Sequence, residues 1–174
     1  MTLTPAHTKR LLMRYYRRMA AHYGPTHWWP GDTPFEIAVG AILTQNAAWS
    51  NVEKAIHNLK KAGLLSPKAI AGADTVVLEE AVRPSGYYRQ KSARIRIFSE
   101  HLLTHYRGSM RRMARRPDEA LREELLGIKG IGPETADDIL LYACDKPVFV
   151  VDAYTYRIFE RHGLISEKPA YETL

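Results

Sequence analysis

Apolar positions along this chain recur at intervals of three and four, which is the spacing of one helix face. From Pro5 to His22, Leu11, Leu12, Tyr15, Tyr16 and Met19 trace such a face, and Gly24-Pro25 stops it. "HWWPGDTP" follows as a loop. Asp32 or Thr33 can cap a helix whose first turn holds Pro34, and "PFEIAVGAILTQ" reads as mostly buried. Asn51 to Ala62 is amphipathic and closed by Gly63; Ser66-Pro67 opens a short helix, and Asp74 or Thr75 opens another through Val82. Beyond a turn at Gly86, Gln90 to Tyr106 predicts a long basic helix, and Pro117 to Leu126 predicts one more. The best strand candidate is the short "PVFVV" at Pro147 to Val151; alternation appears nowhere else, so the expected class is all-α without internal repeats.

One stretch breaks the helical pattern and restarts it at once: "LLGIKGIGPETADDIL", Leu125 to Leu140. Glycine accepts positive φ and close approach, so Gly130 and Gly132 allow a tight hairpin with Ile131 tucked into the core. Pro133 suits the first turn of the next helix. The amides of the hairpin and of that first turn, at Gly130, Ile131, Gly132, Glu134 and Thr135, lack helical acceptors and can hold a phosphate oxygen with help from the helix dipole. An ordinary corner between two helices would need no more than a bare G-x-G. The two apolar helices flanking this one at hairpin distance make the signal more specific.

Charge points the same way once it is located. The 174 residues carry a formal net charge of +6. Between Arg83 and Arg116 stand ten basic residues, nine of them arginine, against the single acid Glu100. Guanidinium pairs bidentately with phosphate and each neutralised phosphate releases counterions, so this field suits nucleic acid better than a merely solvated face. No apolar run suffices for a membrane span and the N-terminus has no secretory pattern, so a cytoplasmic protein without membrane contact is expected, nucleoid-associated if prokaryotic. Cys144 is the only cysteine, which excludes an intrachain disulfide or a four-cysteine zinc or iron–sulfur site within these residues. His101 and His105 are four apart but lack the companions a zinc site needs, so surface histidines and no metal centre are expected.

Four blocks, "PFEIAVGAILTQNAAWSNVEKAI", "SGYYRQKSARI", "LLGIKGIGPETADDILLYA" and "VFVVDAYTYRIFERHG", together resemble the helix-hairpin-helix DNA glycosylases of the endonuclease III superfamily, in order and in spacing. The resemblance implies a two-lobed all-α fold with damaged double-stranded DNA lying across the cleft. Residues 1–30 would give the N-terminal helix and loop of the second lobe. Residues 31–146 would form the helical barrel with the helix-hairpin-helix at 125–142, and 147–174 would start a C-terminal lobe that is incomplete beside the family's. A monomer is expected. Some relatives carry an iron–sulfur cluster in the further tail, and family hairpins can hold a monovalent cation on their carbonyls beside DNA; nothing in these residues identifies either.

The same resemblance assigns roles. Asp152 takes the place of the family's catalytic aspartate, twenty residues after Gly132. Breaking an N-glycosidic bond builds positive charge on the sugar, which a carboxylate stabilises while orienting water. Its position also suits plain capping of the next helix. Relatives often read D-T-H where this chain has Asp152-Ala153-Tyr154. Glu134 occupies the position where strand-cleaving relatives carry a Schiff-base lysine, which a carboxylate cannot replace; Lys129 and Lys146 do not match that position. Gln45 aligns with the residue that fills the gap left by a flipped nucleotide, with capping of the helix end as its plainer role. Tyr87 aligns with the wedge against the opposite strand, unless it packs under Arg89. Lys91 and Arg94 are expected in solvent or on phosphate.

Trp28, Trp29, Pro30 and Trp49 resemble the base-holding aromatics of the endonuclease III-like 3-methyladenine DNA glycosylases, where stacking holds a flipped, cationic base. Core packing at the lobe interface is their ordinary alternative. The expected function is a monofunctional glycosylase that hydrolyses an alkylated purine, 3-methyladenine foremost, from DNA and leaves an abasic site. The alternatives are a bifunctional or mismatch and oxidised-pyrimidine glycosylase of the same fold, and a non-catalytic helix-hairpin-helix binding protein.

Overall fold

The structure, a computed structural model, describes residues 5–26, 29–165 and 169–171. Every regular element among them is helical. The chain divides into two compact units, one of Gly31–Val150 and one of Met1–Pro30 with Val151–Leu174.

The larger unit is built around α2 (Pro34–Thr44), with Ala38, Val39, Ile42 and Leu43 fully or almost fully buried. Its start is fixed by Thr33, not Asp32: the Thr33 hydroxyl oxygen accepts the Glu36 amide at 3.1 Å, and Pro34 occupies the first turn. Lys60, at the end of α3 (Trp49–Lys61), bridges Asp32 at 2.6 Å and Glu36 at 2.7 Å, fastening the two helices at that end. Ser66 caps α4 (Pro67–Gly72) and Asp74 caps α5 (Thr75–Val82). A 3-10 turn, Arg83–Ser85, then leads into α6 (Tyr88–Tyr106). α6 packs against α2, α4 and α5, with Ile95, Phe98 and Leu102 turned inward. Phe98 lies nearly parallel to Phe35 of α2, ring centres 6.3 Å apart. Each buried leucine or isoleucine contributes about 1.5–3 kcal/mol relative to leaving it in water.

The unit closes with α7 (Met110–Met113), α8 (Asp118–Leu126) and α9 (Pro133–Asp138), which widens into a π-helical turn, Ile139–Ala143, packed on α2. The strand expectation is corrected here. Pro147 to Val151 forms no strand, because no second extended segment among the described residues offers its backbone a ladder. α7 is a single arginine-rich turn, too short for a helical period to show in the sequence. The helix after the hairpin is α-helical only to Asp138.

The smaller unit contains α1 (Pro5–Tyr23) and α10 (Ala153–Arg161). Tyr15 of α1 lies on the His162 ring at 4.9 Å, with its hydroxyl 3.2 Å from Nδ1. No helix among the described residues is long and apolar enough to cross a membrane.

Candidate functional site

The hairpin between α8 and α9 is built from backbone first. The Ile128 amide donates to the Leu125 carbonyl and the Ile131 amide to that of Ile128, both at 3.0 Å; the Ile128 and Ile131 side chains are buried. Gly130 has φ +93°, and a β-carbon there would meet Arg94 Cγ at 2.6 Å, so glycine is needed on both counts. Gly132 differs. Its φ is −97°, and a β-carbon would meet nothing within 4 Å. A side chain there would therefore face open space at the start of α9. Arg122 of α8 holds the almost fully buried Asp137 of α9 through two bonds, Nε to Oδ1 at 2.7 Å and Nη2 to Oδ2 at 3.2 Å. That planar pair clamps the two helices of the hairpin together.

Gln45 and the hairpin meet directly. Gln45 ends α2, as its plainer reading has it, and its Nε2 donates to the Gly130 carbonyl at 3.1 Å and to Thr135 Oγ1 at 2.9 Å. Arg94 Nη1 donates to Gln45 Oε1, while the Arg94 stem lies over Gly130. One glutamine amide thus reads both sides of the hairpin, and one arginine holds that glutamine. The Thr135 side chain is buried in this arrangement, so what it can offer a phosphate is its backbone amide. Glu134 and Lys129 are exposed.

Lys91 corrects the sequence expectation outright. It is 1% exposed, and its ammonium donates to the Leu43 carbonyl at 2.8 Å and to the Ser85 carbonyl. Burial, aided by the nearby Arg94 charge, lowers its pKa from the usual 10.5. The two carbonyls stand two residues before Gln45 and two before Tyr87, so this buried cation ties together the segments carrying both. Tyr87 is 68% exposed with φ +44°, held at the start of α6. It does not pack under Arg89, which lies over the Tyr88 ring along with Arg83.

The basic field is less uniform than its sequence. Arg96 donates to the Ala71 and Ala73 carbonyls at the end of α4, and Arg83 pairs with Glu80. Glu124 gathers the Tyr106 hydroxyl at 2.7 Å, His101 Nε2 at 2.7 Å and Arg116 Nε at 3.5 Å. Burial opposes its ionisation, but these partners outweigh it and hold the carboxyl below its ordinary value. Tyr106 is pushed up to about 12, by burial first and by Glu124 next. His101 is thus a half-buried partner of Glu124, not a surface histidine, while Arg107, Arg111, Arg112 and Arg115 remain exposed. Cys144 is buried, and burial raises its thiol to about 11.

In the smaller unit Asp152 caps α10. Its Oδ1 accepts the Thr155 amide at 2.7 Å and the Thr155 hydroxyl at 2.8 Å, and the Asp152 amide returns a bond to Thr155 Oγ1 at 3.4 Å. Both bonds to the carboxylate fall on Oδ1; Oδ2 has no partner among the described residues. Trp29 is half-buried and Pro30 exposed; Trp28 lies outside the described residues. Trp49, in the larger unit, opens α3 with its indole N–H on Glu53 at 3.0 Å.

Lys91, Arg94 and the Arg122–Asp137 clamp are the working residues sequence reasoning missed. A positive charge every third or fourth position on a helix carries no mark of which one turns inward. Among the described residues no three histidine, cysteine or acidic side chains are grouped to hold a metal, and one cysteine does not fit an iron–sulfur cluster.

Residues 39–174 match the family model described as "HhH-GPD superfamily base excision DNA repair protein". A putative DNA repair glycosylase, MJ1434, of Methanocaldococcus jannaschii is 45% identical over 166 residues, 94% of this chain and 75% of that protein. Endonuclease III of Thermotoga maritima is 34% identical over 80% of this chain and 62% of its own length. Among solved structures, the Helicobacter pylori 3-methyladenine DNA glycosylase MagIII bound to 1,N6-ethenoadenine superposes with a TM-score of 0.80 at 36% identity, covering 95% of this chain and 77% of that one.

Proposed function

Because the chain belongs to the HhH-GPD superfamily of base excision DNA repair proteins, we propose that this DNA glycosylase hydrolyses alkylated purines, 3-methyladenine foremost, from duplex DNA without cleaving the strand. The observation that carries the reading is the Asp152 carboxylate, one oxygen spent on Thr155 and the other left for chemistry. A carboxylate so fixed costs no reorganisation when positive charge develops on the sugar. The glycosidic electron pair leaves with the base and neutralises its alkylation charge, so departure needs no proton donor. Water then adds its oxygen to the sugar C1′ and gives its proton to Asp152.

The hairpin supports the reading without strand cleavage. Glu134 presents a carboxylate where strand-cleaving relatives present an amine. Lys146 is engaged by Asp118 at 2.6 Å and by the Arg116 carbonyl at 2.9 Å. The hairpin amides from Gly130 to Thr135 would hold phosphate, Gln45 would fill the emptied stack and Tyr87 would wedge the opposite strand, since unstacking a base costs a few kcal/mol. Trp28, Trp29, Pro30 and Trp49 are assigned to the extruded base. The alkylpurine choice draws on similarity to the Helicobacter 3-methyladenine glycosylase and on the affinity of tryptophan faces for cationic rings.

The test offers the enzyme methylated duplex and, separately, duplex with oxidised pyrimidines. Free bases are identified by mass spectrometry, and strand breaks are scored before and after alkali. Release of 3-methyladenine with breaks only after alkali is expected. Release of oxidised pyrimidines with breaks before alkali would replace this reading with an endonuclease III-type one.

A further inference from the structure

The charge on α1 has no role in the site described above. That helix, PAHTKRLLMRYYRRMAAHY, contains Lys9, Arg10, Arg14, Arg17 and Arg18 and no acidic residue. At 100° per residue the four arginines fall within an arc of about 100°, one edge of the helix, with His7 inside the same arc. All four are exposed, and no carboxylate among the described residues pairs with any of them. They line, with His7 and Leu11, an open groove of about 540 Å³. The half-buried apolar positions, Leu11, Leu12 and Tyr15, lie beside that edge, with Leu11 bordering the groove.

Four unpaired guanidiniums on one edge repel one another, and a helix gains nothing from that arrangement alone. A polyanion turns the repulsion into attraction. From Arg10 to Arg18 the helix rises about 12 Å, and along that length of axis a DNA duplex presents about seven phosphate charges on its two strands. We infer that the arginine edge of α1 is a duplex-DNA contact, sequence-independent, which holds the backbone of undamaged DNA. The class of partner follows from charge complementarity, from the bidentate match of guanidinium to phosphate, and from the DNA-repair family to which the chain belongs.

Counterion release gives this inference a number. Each phosphate neutralised adds about 0.9 to the slope of log affinity against log salt. The experiment measures binding of the full chain to an undamaged fluorescent duplex by anisotropy between about 50 and 200 mM salt, the range over which such slopes resolve. The wild type is compared with the quadruple variant Arg10→Gln, Arg14→Gln, Arg17→Gln, Arg18→Gln and with the matching four Arg→Lys changes. The slope should become shallower by about two to four in the glutamine variant and keep its wild-type value in the lysine variant, while single-turnover base release at saturating enzyme stays within about twofold of wild type. If the quadruple variant fails to fold, single Arg14→Gln and Arg17→Gln changes should each flatten the slope by about one. An unchanged slope in a folded variant overturns the inference and leaves the edge to solvent, a membrane surface or an acidic protein.

Discussion

Replacing Gly130 with alanine should unfold the hairpin region much more readily than the same change two residues on. At Gly130 the backbone φ of +93° costs an L-residue about 1–2 kcal/mol. The new methyl would sit 2.6 Å from Arg94 Cγ and 2.8 Å from its Cδ and Nε, so the arginine stem must move. Moving it breaks the bond from Arg94 to Gln45, a loss of about 1.5–3 kcal/mol for a charged donor. Together the change costs about 2.5–5 kcal/mol, equivalent to roughly 5–20 °C in melting temperature for a protein of this size. At Gly132, with φ −97° and open space around the β-carbon, the only cost is a poorer helix cap, at most about 1 kcal/mol. Gly132→Ala should instead weaken DNA binding, since its methyl projects from the face expected to meet phosphate. Urea unfolding followed by circular dichroism, with duplex binding by anisotropy, separates the two. A Gly130→Ala protein within about 1 kcal/mol of wild type would refute the argument, because Arg94 would then not be what demands glycine.

Other outcomes follow from the same geometry. Lys91→Met keeps the side-chain volume but strands the Leu43 and Ser85 carbonyls, so it should cost about 2 kcal/mol in urea unfolding; a more stable variant would contradict this. Arg122→Ala removes the two bonds that hold the buried Asp137 carboxylate and should cost about 3 kcal/mol, with Arg122→Ala/Asp137→Ala recovering part of it. Cys144 and Tyr106 keep their protons in the folded chain to about 11 and about 12, above their ordinary 9.0 and 10.0. The unfolded chain releases those protons first, so their contribution is full below pH 9 and declines as pH rises from about 9 to 12. Lys91, lowered by burial, works in the opposite direction on approach to 10.5, so Lys91→Met should lose stability with alkali more steeply than wild type. Urea midpoints at pH 8, 10 and 11 check both, and a flat profile would refute them.

Much of the architecture was legible because helix ends are written locally. Thr33, Ser66 and Asp74 stand at their caps, and Gly130 to Pro133 gives the hairpin by the conformational needs of glycine and proline. The failures came where distant parts of the chain decide. Pro147 to Val151 has strand composition, but composition forms no strand without a partner to pair. Lysine defaults to solvent, so nothing near Lys91 announces that two carbonyls, 48 and 6 residues away, take its charge inside. Arg122 and Asp137 are 15 residues apart and become neighbours only when the hairpin closes. Gln45, Tyr87 and Asp152 are proposed on resemblance alone, whereas the grip of Arg94 and Thr135 on Gln45 needed coordinates.

The most direct test of the central claim is single-turnover excision from methylated duplex by wild type beside Asp152→Asn, with DNA affinity measured in parallel. Asparagine preserves the shape and the cap on Thr155 while removing the charge. Excision should fall by at least about a hundredfold, with affinity within a few-fold of wild type. Asp152→Asn that releases base at the wild-type rate would contradict the account and return Asp152 to the role of a helix cap.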